Sequence, residues 1–331
     1  MSSRSSSRRT GRSADALQAP LAFSTGQLAV WASLLEASAR KPGNVHPEAS
    51  FHDTSYMDFV LSAAAIGPVF EDARRRTIGS TILRAVEQTQ AVVGKNTNLG
   101  IILLLAPLAR VLGPPRTRRS NVPHLRTATK RRAARRELAS RLRKLTRRDA
   151  EQAYRAIRLA APGGLGTAEE GDVHGAPVGT LYDMMKLAAP RDLVARQYCG
   201  AYREVIEDEL PAFQRDVRTK LTLEQSIVRC FLRFLANHGD SLIARKSGKP
   251  TAAEAARRAT AVLAAGWPHR RRSAATWSRL DQWLRKGDGA RNPGTSADLT
   301  AAVLFLALQS GIIQRPFTFV KAHGMLPSSS H

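Results

Sequence analysis

Cysteine is scarce in this 331-residue chain: Cys199 and Cys230 are the only two, and they form no C-x-x-C pair. That excludes a disulfide framework and a cysteine-based zinc site, and two ordinary thiols fit a reducing cytoplasm. Long apolar runs are missing too. The longest, Leu99 to Leu112, is interrupted by Pro107 and Arg110 and falls short of the roughly 20 residues that span a bilayer, so no membrane segment is expected. No stretch alternates strictly between apolar and polar residues, which argues against strands. There is no G-x-G-x-x-G, Walker loop or G-x-S-x-G elbow, and His46, His174 and His238 are too dispersed for a local zinc motif such as H-E-x-x-H. A Rossmann, P-loop or zinc-hydrolase enzyme is therefore not expected.

Acid is also in short supply, 27 Asp and Glu against 51 Lys and Arg, for a formal net charge of +24. Such a balance favours nucleic acid or another polyanion as a partner. Its distribution weakens that inference, because fourteen of the basic residues fall between Arg116 and Arg148 with Glu137 as the one acid among them. This stretch, 114–148, reads as a basic insertion between two helices of a more ordinary domain. It is either a solvated basic helix or loop, or a segment that draws a polyanionic ligand or nucleic acid. The Ser/Arg-rich start, residues 1–20, has no apolar core and reads as a disordered tail rather than a signal peptide.

What remains is rich in apolar residues, 43% of the chain, and they recur at helical spacing nearly everywhere. The expectation is an all-α, single multi-helix domain over 21–325. Leu28, Trp31, Leu34 and Leu35 mark a first helix that must stop before Pro42-Gly43. Tyr56 to Ala64 forms a second, closed by Gly67-Pro68, and Ile78 to Val93 a third, with Gly94 as its C-cap. Asn98 to Leu112 is apolar almost all round and should be central. Helices are also expected over Asp149–Ala160, Thr180–Ala188, Asp192–Phe213, Thr222–Ala236, Ala252–Leu263, Ala274–Trp283 and Ser296–Leu308. The Gly-rich stretch Ala161 to Gly166 breaks the pattern, and the tail from Pro316 looks peripheral.

Three short polar loops precede or join these helices: Lys41-Pro42-Gly43-Asn44-Val45-His46-Pro47, Asn96-Thr97-Asn98-Leu99-Gly100, and Asn292-Pro293-Gly294-Thr295-Ser296-Ala297-Asp298. A helix N-terminus leaves four N–H groups unpaired and carries partial positive charge, so such loops either cap a helix or hold an anion. Each residue has a structural alternative. Lys41 can be a helix C-terminal charge, Asn44 a turn former, Asp58 a first-turn dipole partner, and Thr295-x-x-Asp298 a capping box. Asp240, after Asn237-His238-Gly239, sits where a helix ends, an unfavourable place for a carboxylate without a nearby cation such as Arg245, Lys246 or Mg²⁺.

In order along the chain, Lys41-Pro42-Gly43, Asp58-Phe59 with Ser62, Asn96-Thr97 with Gly100, Asp240, and Pro293-Gly294 with Ser296-Ala297-Asp298-Leu299 resemble the signature segments of the triphosphoribosyl-dephospho-CoA synthase family. The family's usual Asn-Thr-His-Lys-Gly reads Asn96-Thr97-Asn98-Leu99-Gly100 here, as in a divergent branch. The resemblance implies an all-α enzyme that removes adenine from ATP and passes the triphosphoribosyl group to the ribose 2′-hydroxyl of dephospho-CoA. It implies Mg²⁺ on the triphosphate, an acid for the leaving adenine and a base for the acceptor. Candidate catalytic residues are Asp58, Asp240 and Asp298. Candidate metal ligands are Asp53, Asp58 and Asp240. Lys41, Asn44, Asn96, Asn98, Gly100, Lys246 and Ser296 are the candidates for binding ATP. Alternatives are the same chemistry on another acceptor such as a one-carbon pterin precursor, a nucleic-acid-binding protein on this scaffold, and an N-glycoside hydrolase using water.

Overall fold

The computed structural model describes residues 23–114, 125–161, 170–287, 289–314 and 319. The expected N-terminal tail, the turn at 162–166 and most of the tail from Pro316 lie outside these. Among the described residues regular structure is helical throughout, with one isolated bridge between His46 and Ala49. The helices are α1 Thr25–Ser38, α2 Tyr56–Glu71, α3 Ile78–Val93, α4 Leu99–Leu112, α5 Ala128–Leu142, α6 Arg147–Ala160, α7 Leu181–Ala188 and α8 Leu193–Cys199. A π-helical segment, Glu204–Glu209, follows. Then come α9 Leu210–Asp216, α10 Leu223–His238, α11 Ser241–Ser247, α12 Lys249–Ala264, α13 Arg272–Arg285 and α14 Gly294–Gln309.

Two helices form the centre, α4 and α14, both buried nearly all round as their composition requires. They pack on each other and on α1, while α10 and the π segment also contact α14. Helix α2 does not close at Gly67-Pro68 but runs on to Glu71. The two glycines serve packing of α1 on α2 instead: a β-carbon on Gly26 would strike the Gly67 carbonyl, and one on Gly67 would strike the Val30 side chain.

Helix α4 carries Pro107, which has no N–H to give the carbonyl four residues earlier, that of Leu103. Tyr198 supplies the missing donor, its hydroxyl reaching the Leu103 oxygen at 2.7 Å, and the Tyr202 hydroxyl adds a bond to the neighbouring Leu104 oxygen at 2.8 Å. Placing both rings there interrupts the single helix expected over Asp192–Phe213. The chain turns through left-handed backbone at Ala201 (φ 47°) and Tyr202 (φ 57°) before the π segment.

The described part of the basic stretch, 125–148, packs one face into the core. Leu125, Leu138 and Leu142 are fully buried, and α5 packs on α4, α8 and the π segment. Arg135 donates to the carbonyls of Gly200 (2.9 Å) and Ala201 (3.2 Å) and pairs with Glu207 at 2.7 Å, closing the end of α8. Arg126 likewise binds the carbonyls of Ser310 and Gly311 at the end of α14. Charge density suggested an insertion; Ala134, Leu138, Leu142 and Leu145, buried at three- and four-residue spacing, give the stretch a packed face while Lys130, Arg132, Arg136 and Arg141 stay exposed.

Candidate functional site

Four helix starts, those of α4, α8, α11 and α14, face one cleft of about 1150 Å³. Asn44, Asp53, Asn96, Gly100, Asp240, Lys246 and Asp298 all line it. Residues separated by as much as 254 positions thus meet, because α4 and α14 lie side by side with their N-termini together.

The first loop is held against α13. Gly43, in left-handed backbone (φ 76°), donates its N–H to Asp281 at 2.8 Å. Arg285 pairs with Asp281 and donates to the Asn44 carbonyl (2.8 Å) and His46 Nε2 (3.1 Å). The Glu48 N–H approaches the other ring nitrogen, Nδ1, at 3.3 Å, so both nitrogens of His46 face donors, an environment that disfavours the charged ring. Burial, then the charges of Arg285 and Lys41, lower its pKa accordingly. The Asn44 amide donates to Asn292 at 2.6 Å, leaving its buried Oδ1 without a partner. Lys41 does not present a free ammonium to the cleft. It is 1% exposed, and its ammonium meets the Glu36 carboxylate at 2.9 Å together with the carbonyls of Glu36 and Ala39, which uses all three of its donors.

The second loop caps α4 from within. Asn96 Oδ1 accepts the Leu99 N–H at 3.2 Å, while the Thr97 hydroxyl bonds that of Ser62 at 2.5 Å and buried Asn98 donates to the Ser62 carbonyl at 3.4 Å. Asn98 therefore faces α2 and does not line the cleft. Asp58 also lies outside the lining, in a capping box: it accepts the Ser55 N–H at 2.8 Å and pairs with Lys95 at 3.3 Å. Burial raises its pKa, but the Ser55 and Lys95 bonds outweigh this and leave it lowered. Lys95 also donates to the Asp53 carbonyl at 2.6 Å, joining the two loops.

Asp240 does not sit at an unfavourable helix end. The helix ends at Gly239, and Asp240 is the N-cap of α11, with one oxygen accepting from Leu242 (2.9 Å) and Ile243 (3.1 Å). Its other oxygen accepts the backbone N–H (2.7 Å) and hydroxyl (2.8 Å) of Ser296, so one carboxylate caps both α11 and α14. With four bonds its acceptor positions are filled, and Ser296, fully buried, is committed to it. Asp192 repeats the device at the start of α8, accepting from Val194 and Ala195 at 2.7 and 3.1 Å, with Arg245 3.7 Å away.

Asp298 is different. The capping box of Thr295 and Asp298 does not form, since Pro293 is the N-cap and Thr295 accepts instead from Ser241 at 3.0 Å. Among the described residues the half-buried Asp298 carboxylate has no hydrogen bond or ion pair, and it rests over Gly100, where a β-carbon would collide with both its oxygens and its carboxyl carbon. Burial, then the nearby charges of Glu36, Asp240 and Asp192, push its pKa well above the usual carboxylate range, with Arg245 opposing.

The expected metal trio of Asp53, Asp58 and Asp240 is not assembled, because the last two are consumed by helix capping. Among the described residues no three His, Cys, Asp or Glu side chains stand close enough to hold a metal ion. Sequence reasoning missed Glu36, Asp192 and the cations Arg191 and Lys249, which also line the cleft. For Glu36 a signal existed: an acid in the last turn of an apolar helix opposes the helix dipole and calls for a partner.

Comparison with known proteins settles the lineage. The family model for CitG, ATP:dephospho-CoA triphosphoribosyl transferase, matches residues 22–316. The chain belongs to this family. The CitG member is accordingly a transferase acting with ATP and dephospho-CoA. A crystal structure from Archaeoglobus fulgidus assigned as a triphosphoribosyl-dephospho-CoA synthase superposes with a TM-score of 0.54 at 25% identity, covering 76% of this chain and 98% of that one. The curated proteins give no match. The match runs through the basic stretch, and nothing in these comparisons supports a nucleic-acid module, a pterin acceptor or a hydrolase. No helix among the described residues is long and apolar enough to cross a membrane.

Proposed function

We propose that the cleft at the N-termini of α4 and α14 is where ATP loses adenine and its triphosphoribosyl group reaches the ribose 2′-hydroxyl of dephospho-CoA, within one catalytic domain over 21–325. The observation that carries this is the convergence of all three polar loops on an unpaired carboxyl, that of Asp298, above a glycine that makes room for it. The exposed Arg191, Lys246 and Lys249 on the cleft wall, with Arg245 between them, suit the triphosphate. Asn44 Oδ1 and the free amide nitrogen of Asn96 suit a ribose hydroxyl or adenine's polar edge. Ile157, Val173, Met184, Met185 and Leu187 form an apolar side of the cleft that suits the pantetheine arm of the acceptor.

The residues present do not form a resident Mg²⁺ cage. Mg²⁺ enters with the triphosphate as its counter-ion, which is how the ion is commonly held, through phosphates and one or two carboxylates. Asp53 lines the cleft, and among the described residues its side chain is bonded to Thr54 through one oxygen, leaving the other for the ion. The chain's own contribution is to place the triphosphate by charge, exclude water from the ribosyl centre and supply a proton to the leaving base.

The deciding experiment incubates the protein with ATP and Mg²⁺, with and without dephospho-CoA, and measures free adenine and the acceptor's mass. Adenine that appears only with dephospho-CoA, with a matching mass gain, is expected. No adenine under either condition overturns the reading, and adenine without acceptor converts it to hydrolysis.

A further inference from the structure

Two asparagines 248 positions apart in the chain meet in the cleft wall, where the Asn44 side chain donates an N–H to Asn292 Oδ1 at 2.6 Å. Both backbones are pinned. Arg285 holds the Asn44 carbonyl at 2.8 Å, while the Asn292 N–H donates to the Gly289 carbonyl at 3.2 Å and the Asn292 carbonyl accepts from Gly294 at 2.9 Å. Two carboxamides joined by one hydrogen bond always leave an oxygen on one member and an NH₂ on the other. Here the oxygen is Asn44 Oδ1, on a residue 6% exposed, and it has no partner. The NH₂ is that of half-buried Asn292, which makes no further bond among the described residues. A buried acceptor without a donor is costly, so Asn44 Oδ1 calls for a ligand group that carries hydrogen. An ionised triphosphate has only acceptors and does not meet that need. Next to the pair stands an aromatic surface: the Phe51 ring, also in the cleft wall, lies 4.0 Å from the place of a β-carbon on Gly289, the residue that holds the Asn292 N–H.

We propose that the paired amides of Asn44 and Asn292 read the leaving base: Asn44 Oδ1 accepts from the 6-amino group of adenine, and the Asn292 NH₂ donates to the neighbouring ring nitrogen. The inference rests on the triphosphoribosyl-transfer reading above and makes the donor a 6-aminopurine nucleotide. Adenine shows a donor beside an acceptor next to its 6-amino group, the complement of an amide oxygen beside an amide NH₂. A 6-oxopurine sets an oxygen against Asn44 Oδ1 instead. Asn44 is thus the specificity residue and Asn292 the residue that positions it, because the bond to Asn292 is what keeps the Asn44 amide from turning its NH₂ toward the base.

A ribose hydroxyl is the other hydrogen-bearing group of ATP. It turns about its C–O bond and both gives and accepts through one atom, so it has no use for an acceptor and a donor held side by side on pinned backbones. A base edge does, since its two groups are fixed in one plane, and the Phe51 ring offers that plane a face to stack on. The loop of Asn292 also carries Asp298, the unpaired carboxyl that the transfer reading places at the reacting centre, so the base read is the one that leaves.

The test measures kcat/KM for base release, with Mg²⁺ and dephospho-CoA present, from ATP, from inosine triphosphate, whose base is a 6-oxopurine, and from 3′-deoxy-ATP. It compares the full-length protein with Asn44→Ala and Asn292→Ala. The unmodified protein is expected to favour ATP over inosine triphosphate by about 10–100-fold, the range set by one bidentate base contact. Asn44→Ala removes the acceptor and Asn292→Ala lets it turn, so both bring the two donors close to parity, the first by loss on ATP and the second in part by gain on inosine triphosphate. The penalty for 3′-deoxy-ATP stays that of the unmodified protein. If Asn44→Ala does not fold, Asn292→Ala, on the less buried member, decides the point. An unchanged ratio of ATP to inosine triphosphate in the folded variants overturns the proposal. So does a selective loss of the 3′-deoxy-ATP penalty, which would make Asn44 a reader of the sugar. Both results leave the transfer reading intact, whereas absence of adenine release from ATP by the unmodified protein overturns that reading instead.

Discussion

Gly100 lies directly beneath Asp298, so close that a β-carbon at position 100 and the carboxylate at 298 would claim the same volume. Alanine there would be preferred by the helix by about 1 kcal/mol, yet it must displace the carboxylate. A misplacement of 1 Å at a reacting group can cost about 10²-fold. Gly100→Ala is expected to lower kcat more than about tenfold while the unfolding temperature stays within a few degrees of the parent, read by adenine release and thermal unfolding.

Tyr198→Phe removes the donor that answers the Leu103 carbonyl orphaned by Pro107. A buried acceptor left unmet costs about 1–3 kcal/mol. Urea unfolding should show that loss, with acceptor-dependent adenine release at the parent level, since the Tyr198 ring lies behind α4 in the core.

Arg135 and Arg132 are neighbours on the same basic helix with opposite surroundings. Arg135 closes the carbonyls of Gly200 and Ala201 and pairs with Glu207, whereas Arg132 is exposed. Arg135→Ala is expected to cost about 1–3 kcal/mol in urea unfolding and Arg132→Ala less than about 0.5 kcal/mol. Equal small effects would show that α5 is not anchored through Arg135.

His46 and His238 each have an arginine against a ring nitrogen, Arg285 and Arg196 at 3.1 Å, and each has a lowered pKa, through burial first and the arginine second. The unfolded chain therefore binds protons more readily than the folded one below the ordinary histidine pKa of about 6.5. Stability is complete above that value and declines as pH falls from it toward the depressed folded values. Urea midpoints measured from pH 7.5 downward should fall over that range, and fall less steeply in His46→Gln.

The helical architecture was legible in the apolar spacing, and the two most continuous apolar segments are the two central helices. The site was legible as a set of loops but not residue by residue. Lys41 reads as a free cation because its partner Glu36 lies on the other side of a helix end, and only folding turns it inward. Asp240 follows a helix, so its charge looks misplaced; that the next helix starts one residue later, and that α14 also needs a cap, are facts of three-dimensional arrangement. Asp298 has the spacing of a capping box with Thr295, and it is freed because Ser241 engages Thr295 and Asp240 takes the N–H of Ser296. In the basic stretch, composition outweighed periodicity: Leu138 and Leu142 already marked a buried face.

The two tyrosines bonded to α4 also make the core optically readable. Of five tyrosines in the chain, Tyr198 and Tyr202 are fully buried with their hydroxyls committed to main-chain oxygens, and burial pushes both far above the ordinary phenol range. Their tyrosinate absorbance in alkaline solution will lag behind that of the more accessible phenols until the π segment and α8 leave α4. An ultraviolet trace taken after a jump to high pH would thus time the opening of the interior without any label.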